Sequence, residues 1–453
     1  MDYNYHHMKI PFHRRIMPWV FALIFLFMAP AVVFYTAGYR WNQNKGVIER
    51  NGTIMFDTLP RGADIFLNGQ KLDQKTPFTM QNVAPGTYEI KYVLKGFHEW
   101  AKTLPVDPER VTFATEVNLW PDAQPELAMP GDFPSLIADP QGSYVLLAGA
   151  PKNRSTDYML VDSATAQTKN RVTANSEFVP QYADWDKAGD VALLYGTASS
   201  VSQTCYLQTK ALTPNRMPDG IYHWDGSDLV GFADRQKITV QNDGAVEHTP
   251  QPSGIHDVLA GFSLRYVTGT ADLVLTLNKK TDQGFVLPPG QWQFRAQPDS
   301  TLLLQSGKDW MWIDLATDPL TVNRLQADWL WPMVVKRQTR YLALNGNEVY
   351  VWDSGHEPEL IYRQSDKLVS AAWYADGKDV MVATKNAVIM FNLDARNGRY
   401  KTTLATFDEI AAATVANENV FVSATKNGQT GFWRLPLAIS NAILPSLPSF
   451  GGF

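Results

Sequence analysis

The chain has 453 residues, room for two to four domains, and a formal net charge of only -5. Its charged residues form no basic stripe, which argues against a nucleic-acid partner. The single cysteine, Cys205, excludes an intrachain disulfide, so packing must hold the fold together.

The first predicted element is a membrane helix. No charged side chain occurs from Ile16 to Tyr39, and the 21 residues Ile16–Thr36 read IMPWVFALIFLFMAPAVVFYT. A helix of that length spans about 30 Å, the thickness of a bilayer's hydrocarbon core. Pro18 falls in the first turn, where its missing N–H costs little, and Pro30 is expected to kink the helix. Trp19 at one end and Tyr35, Tyr39 and Trp41 at the other read as interfacial aromatic belts. The Arg14-Arg15 pair places residues 1–15 in the cytoplasm and everything after residue 39 outside it. An uncleaved anchor in the bilayer is expected. A cleaved signal peptide with a site at Ala29–Ala31 is the rival reading, and the apolar run continues past that site.

Residues 46–120 read as one small domain: residues 46–51 form a polar bridge, and from Gly52 to Trp120 the chain carries period-two alternation. Ile54, Phe56 and Thr58 set one face; Ala63, Ile65 and Leu67 a second; Tyr88, Ile90 and Tyr92 a third. Asn68-Gly69 between apolar runs is a hairpin signal, because both positions accept positive φ. These strands predict a small antiparallel sandwich. Its segments LPRGADIFLNG, TPFT, VAPGTYEIKY and LKGFHEW occur in the order of the PEGA domain pattern. The stretch Thr53 to Leu119 therefore resembles a PEGA domain, with Arg61 in place of the Glu in the naming tetrapeptide. The resemblance implies an extracytoplasmic spacer or adhesive module without catalytic residues.

Residues 121–131, rich in Pro and polar residues, read as a linker. From residue 132 to 437 short strand pairs repeat: YVLLAG, VALLYG, DLVGF, LVLTLN, LLLQSG, YLALNG, VMVATK and VFVSAT, each followed by a second strand. A spacing of about 40 residues is that of propeller blades. The interval from Leu273 to Leu302 is short and suggests an incomplete or merged blade. YADGKDVMVAT resembles the turn-and-strand step of TolB-like and quinoprotein-like propellers, and Trp352-Asp353 lacks the Gly-His that accompanies it in WD repeats. The expected fold is all-β: one transmembrane helix, a PEGA-like β-sandwich and a seven- or eight-bladed β-propeller. Residues 438–453 carry too few strand signals to join the ring.

Chemical motifs are absent. There is no G-x-S-x-G, no phosphate-cradling glycine loop, and the eight histidines never adopt H-x-x-x-H spacing. No catalytic residue, metal or cofactor is expected. DWDKAG, from Asp184 to Gly189, imitates the start of a calcium loop, but Ala188 and Tyr195 occupy ligand positions, so a blade turn is expected. The aromatic-rich half of the array supplies the candidate binding residues Trp292, Trp310, Trp312, Trp329, Trp331 and Trp373. Tryptophans stack on sugar rings or anchor protein interfaces, and they also fill gaps between blades. The expected function is recognition of a protein or an envelope glycan on a rigid ring. A glycosidase-like surface hydrolase, which needs converging carboxylates, and a purely structural envelope component are the alternatives.

Overall fold

The computed structural model describes residues 12–36, 39–42, 47–225, 228–233, 236–241, 246–250, 255–259, 262–266, 273–277, 284–296, 301–315, 321–335 and 338–438. Most of the expected cytoplasmic segment 1–15 and the tail from residue 439 lie outside them. The chain divides after Leu119 into two compact units.

The first unit begins with one helix, Phe12–Thr36, whose side chains are exposed along most of its length. Its stretch Ile16–Thr36 has a mean hydropathy of 2.4, long and apolar enough for a membrane anchor or a signal sequence. A two-sheet sandwich follows. One sheet orders Phe78–Val83, Gly52–Leu59 and Val111–Asn118; the other orders Gln70–Lys75, Asp64–Leu67, Gly86–Val93 and Trp100–Val106. Ile54, Phe56 and Thr58 all point inward, as their alternation predicts, and meet Ala63, Ile65, Ile90 and Tyr92 in the core. Thr58 is tolerated there because its hydroxyl donates to the Pro60 carbonyl and sits 2.7 Å from the Thr76 hydroxyl. The Asn68-Gly69 turn has φ of 49° and 79°, the primed geometry that a two-residue hairpin requires. One pairing differs from the expected all-antiparallel pattern. Gly52–Leu59 pairs in parallel with Val111–Asn118, the connection between them comprising the second sheet and the strand Phe78–Val83.

The second unit contains, among the described residues, eight four-stranded antiparallel sheets. Sheets 1 to 7 occupy residues 135–174, 179–216, 221–250, 255–286, 293–326, 329–363 and 370–406 in turn. Sheet 8 takes three strands from residues 409–436 and its fourth, Glu126–Pro130, from the start of the unit. The stretch expected as a linker is thus in part a strand: it pairs with Gln429–Pro436 and ties the two ends of the unit together. The strand pairs seen in sequence fall at the second and third positions of their sheets, except in sheet 4. There Leu273–Leu277 is the third strand, and the second is Phe262–Tyr266. The short interval before Leu302 therefore marks a slip of one strand, not an incomplete sheet.

Shared apolar clusters bind sheet 1 to 2, 2 to 3, 4 to 5, 5 to 6, 6 to 7, 7 to 8, and 8 back to 1. Sheets 3 and 4 meet through the buried His223 and Asp257. This circular order fits a propeller. Recurrent turns join the first and second strands: Gly142 N–H donates to the Asp139 carbonyl, Gly189 N–H to Asp186 and Gly377 N–H to Tyr374. In the DWDKAG segment the Asp186 carboxylate accepts from the backbone of Val191 and Ala188, so it closes a hairpin. Gly142 has φ +68°, and a Cβ there would come within 2.8 Å of the Asn417 backbone nitrogen in sheet 8. Only glycine meets both conditions.

Candidate functional site

The first strands of the sheets meet one another: Ser135–Ala138 lies against Val179–Trp185 and Glu409–Ala416, and Ile221–Asp225 lies against Gln293–Ala296. Their composition is uneven. Sheets 7, 8 and 1 contribute SAAW, EIAAATVA and SLIA, with small side chains that let strands approach closely. Sheets 2 to 6 contribute VPQYADW, IYHWD, IHDVL, QFRA and WLWPMVV. Large aromatic and charged groups from several sheets therefore converge.

Tyr182 of sheet 2 stacks on Trp329 of sheet 6, ring centroids 4.2 Å apart and planes within 14°. Arg295 of sheet 5 lies over the Tyr195 ring of sheet 2 at 4.7 Å. Its Nη1 donates to the Tyr195 hydroxyl, and its Nε donates to Gln305 Oε1 at 2.5 Å. Trp224 Nε1 donates to the Asp184 carbonyl, which fixes the strand that carries Asp184. Tyr182, Asp184, Tyr195, Arg295 and Trp329 are all half-buried: deep in the unit, yet open to the space between the first strands.

Charge in this space is unsettled. Burial pushes the Asp184 carboxyl up to about 6, against the pull of the Arg295 guanidinium. Burial also pushes the Tyr195 phenol up to about 12. Asp184 and Arg295 feel each other's field, yet among the described residues they form no ion pair, and the Asp184 carboxylate accepts no hydrogen bond.

A second polar group lies beside this one and is closed. Asp257 is fully buried; its Oδ2 accepts from Phe294 N–H at 2.8 Å and its Oδ1 from Val258 N–H at 2.9 Å. His223 Nδ1 stands 3.3 Å from Asp257 Oδ1, and the His256 ring bonds the Trp292 carbonyl. Burial raises the Asp257 carboxyl, opposed first by His223. This knot ties sheets 3, 4 and 5. His223, His256 and Asp257 are all buried.

The six tryptophans expected as binding residues divide in two. Trp292, Trp310 and Trp312 are buried between sheets: Trp292 donates to the Pro288 carbonyl, Trp310 to that of Ala327, and Trp312 packs on Trp352 at 4.9 Å. Trp329, Trp331 and Trp373 are half-buried on first strands, and Trp373 Nε1 donates to the Trp331 carbonyl at 3.1 Å. Among the described residues, Trp329 alone of the six joins the central cluster by a ring contact. Tyr182, Asp184, Tyr195 and Arg295 were not anticipated. The available signal was the presence of charged and phenolic residues in strands that open each repeat. Among the described residues no group of three His, Cys, Asp or Glu is placed to hold a metal.

A search of curated proteins finds no match to the chain. Solved structures align with it at low similarity. A chain of a mitotic checkpoint complex is 10% identical, with 70% of this chain and 90% of that one covered and a TM-score of 0.39. The dihydro-heme d1 dehydrogenase NirN in complex with DHE is 11% identical, with coverages of 66% and 74% and a TM-score of 0.41. An uncharacterized protein from Listeria monocytogenes EGD-e is 9% identical, with coverages of 59% and 94% and a TM-score of 0.33. The sandwich of the first unit, over residues 51–119, matches the PEGA domain family.

Proposed function

We propose that this is a single-pass membrane protein of the cell surface that binds a protein or an envelope glycan without catalysis. In this reading the N-terminus is cytoplasmic, the PEGA-like sandwich stands outside the cell, and the eight sheets form a closed eight-bladed β-propeller. The observation that carries the binding role is the central cluster. It leaves the Asp184 carboxylate without a hydrogen-bond or ion-pair partner among the described residues, half-buried on the strand that carries the Tyr182 of the aromatic stack. Half-buried charge without a partner costs free energy that folding alone does not recover, and sites with a few convergent polar groups among aromatics suit ligands. A hydrolase of the glycosidase type needs a second open carboxylate. The neighbouring candidate, Asp257, is sealed and engaged by backbone amides, which favours binding over hydrolysis.

The test has two arms. Protease added to intact cells should digest the bulk of the chain; survival on intact cells with loss only after permeabilisation would overturn the topology. Full-length chain in lipid nanodiscs should capture an envelope protein or glycan that Trp329→Ala no longer retains. Equal retention by both forms would remove the central cluster from the binding role.

A further inference from the structure

We propose that the sandwich rests on the bilayer surface, with Met55, Val111 and Phe113 on the outer face of its three-stranded sheet lying against the lipid. The proposal rests on the anchored reading above and goes beyond it: the sandwich is a second membrane contact as well as a spacer.

A sandwich needs only the inner faces of its sheets to be apolar. Ile54, Phe56, Thr112 and Ala114 lie on the inner face and are buried. Met55, Val111 and Phe113 alternate with them and point the other way, 37%, 43% and 51% exposed. Register gathers the three: Met55 is the strand partner of Phe113, and Thr53 is the partner of Val111. Within the described sandwich every exposed large apolar side chain belongs to this sheet; the fourth, Leu59, sits at the far end of Gly52–Leu59. Single exposed apolar residues need no explanation, whereas a contiguous group marks a surface with an occupant.

The path of the chain identifies that occupant. The apolar helix ends at Thr36, and Tyr39–Asn42 then folds back on Val47–Arg50, which makes Arg50 the partner of Tyr39. Antiparallel partners lie about 5 Å apart, and the three residues from Arg50 to Thr53 add at most about 10 Å. Side chains fasten this return. The Tyr39 ring meets Phe34 of the helix edge-on at 5.2 Å, the Arg50 guanidinium lies over the Tyr39 ring at 4.6 Å, and Arg50 Nη1 donates to Glu109 Oε1 in an ion pair. Glu109 N–H donates to the Asn51 carbonyl, and Thr53 N–H to that of Arg110. Contacts therefore run unbroken from the last turn of the helix to the loop that opens Val111–Asn118. They hold the apolar end of the sheet close to the point where the helix leaves the hydrocarbon. The acid nearest that point, Glu109, is neutralised by Arg50. Beside Val111 the Arg110 side chain is 78% exposed and only loosely paired with Asp107 at 3.9 Å, which suits a headgroup phosphate. Apolar side chains with a basic neighbour are what binds a lipid interface.

The experiment attaches the environment-sensitive fluorophore NBD to cysteines introduced by Phe113→Cys and, separately, Val111→Cys in the full-length chain. Cys205 stays in place: it is buried, and burial pushes its thiol up to about 12, so it reacts little. The chain sits in nanodiscs of phosphatidylethanolamine and phosphatidylglycerol, with or without lipid carrying a nitroxide near the headgroup. Gln74→Cys, on the exposed strand Gln70–Lys75 of the other sheet, is the reference. The nitroxide lipid should quench both test positions about twofold or more beyond Gln74, as burial in the interface requires. Met55→Ser with Val111→Ser should bring the Phe113 signal down toward the reference, which mere nearness to the bilayer would not do. Thermal melts identify any label that disturbs folding, and the other test position then carries the result. Quenching no greater than at Gln74 in a chain that has entered the nanodisc would overturn the proposal and leave the anchor standing. A blue-shifted signal without lipid quenching would give the face to a protein surface, such as a second copy, and overturn it too. A chain that does not enter the nanodisc would remove the anchor and the proposal together.

Discussion

The two halves of the sheet array solve the same packing problem in opposite ways. In sheets 7, 8 and 1 the first strands are rich in Ala, Ser and Thr, and they approach closely enough for Ser370 Oγ to donate to the Ala413 carbonyl at 2.8 Å. In sheets 2 to 6 the corresponding strands carry Tyr, Trp, His, Asp and Arg, and the space between them holds a sealed polar knot and an open charged cluster. The first half spends its inner surface on contact. The second keeps groups there that packing alone does not require. Where a fold retains unpaired charge in a half-buried space, function is the economical explanation.

The sharpest break in that comparison is expected at the sealed knot. Asp257→Ala would strip the partner from Phe294 N–H and Val258 N–H and leave His223 beside a void. Removing one member of a buried polar group typically costs about 3–5 kcal/mol. Chemical denaturation should show a midpoint shift of that size, and Asp257→Asn, which keeps one acceptor, should recover part of it. A loss below about 1 kcal/mol would mean that the knot ties nothing.

The small-residue half can be broken from the opposite direction. Ala413 is buried between sheets 7 and 8, and a leucine there would force the two first strands apart. Overpacking of this kind costs about 1–3 kcal/mol. The same denaturation measurement checks it; a neutral Ala413→Leu would show that the close approach is not enforced by side-chain size.

How much of this was legible in sequence depended on the kind of interaction. The sandwich core was readable because burial on one face writes itself as alternation: Ile54, Phe56 and Thr58 point inward as their spacing requires. Asn68-Gly69 was readable because few residues adopt two positive φ values in succession. The repeat was readable from its apolar second and third strands, but the phase within a sheet was not. Leu273–Leu277 resembles a second strand and is a third, because strands covered on both faces look alike whatever their position. The strand Glu126–Pro130 was hidden because its pairing partner lies at the other end of the unit and its exposed outer position needs no apolar run. The central cluster was the least legible part. Tyr182 meets Trp329, and Tyr195 meets Arg295, across long sequence separations that no local pattern encodes. Tryptophan counting reached Trp329 by composition, and brought with it Trp310 and Trp312, which fill the core between sheets 5 and 6.

The smallest effect is also the most discriminating, because it separates stability from binding in one residue. Asp184 has an ordinary carboxyl value of 3.8, and burial moves it to about 6 in the folded chain. Between those values the folded state holds more protons than the unfolded state, so stability falls as pH rises through about 4 to 6. Above that window the carboxyl is charged in both states and the full penalty is present. Asp184→Asn removes the charge without changing shape. After allowance for partial solvent screening, it should stabilise the chain by about 1–2 kcal/mol at pH near 8, with the gain vanishing below about pH 4. Ligand binding should move the opposite way. The charged carboxylate is the better hydrogen-bond acceptor, so affinity should rise with pH through about 6 in the parent chain and stay flat in Asp184→Asn. Opposite slopes from one carboxyl, read by melting and by calorimetry across the same pH series, are what a residue kept for a ligand at the expense of stability must show. If the variant were less stable than its parent at high pH, Asp184 would belong with the packed half of the array, and the contrast between the halves would lose its functional meaning.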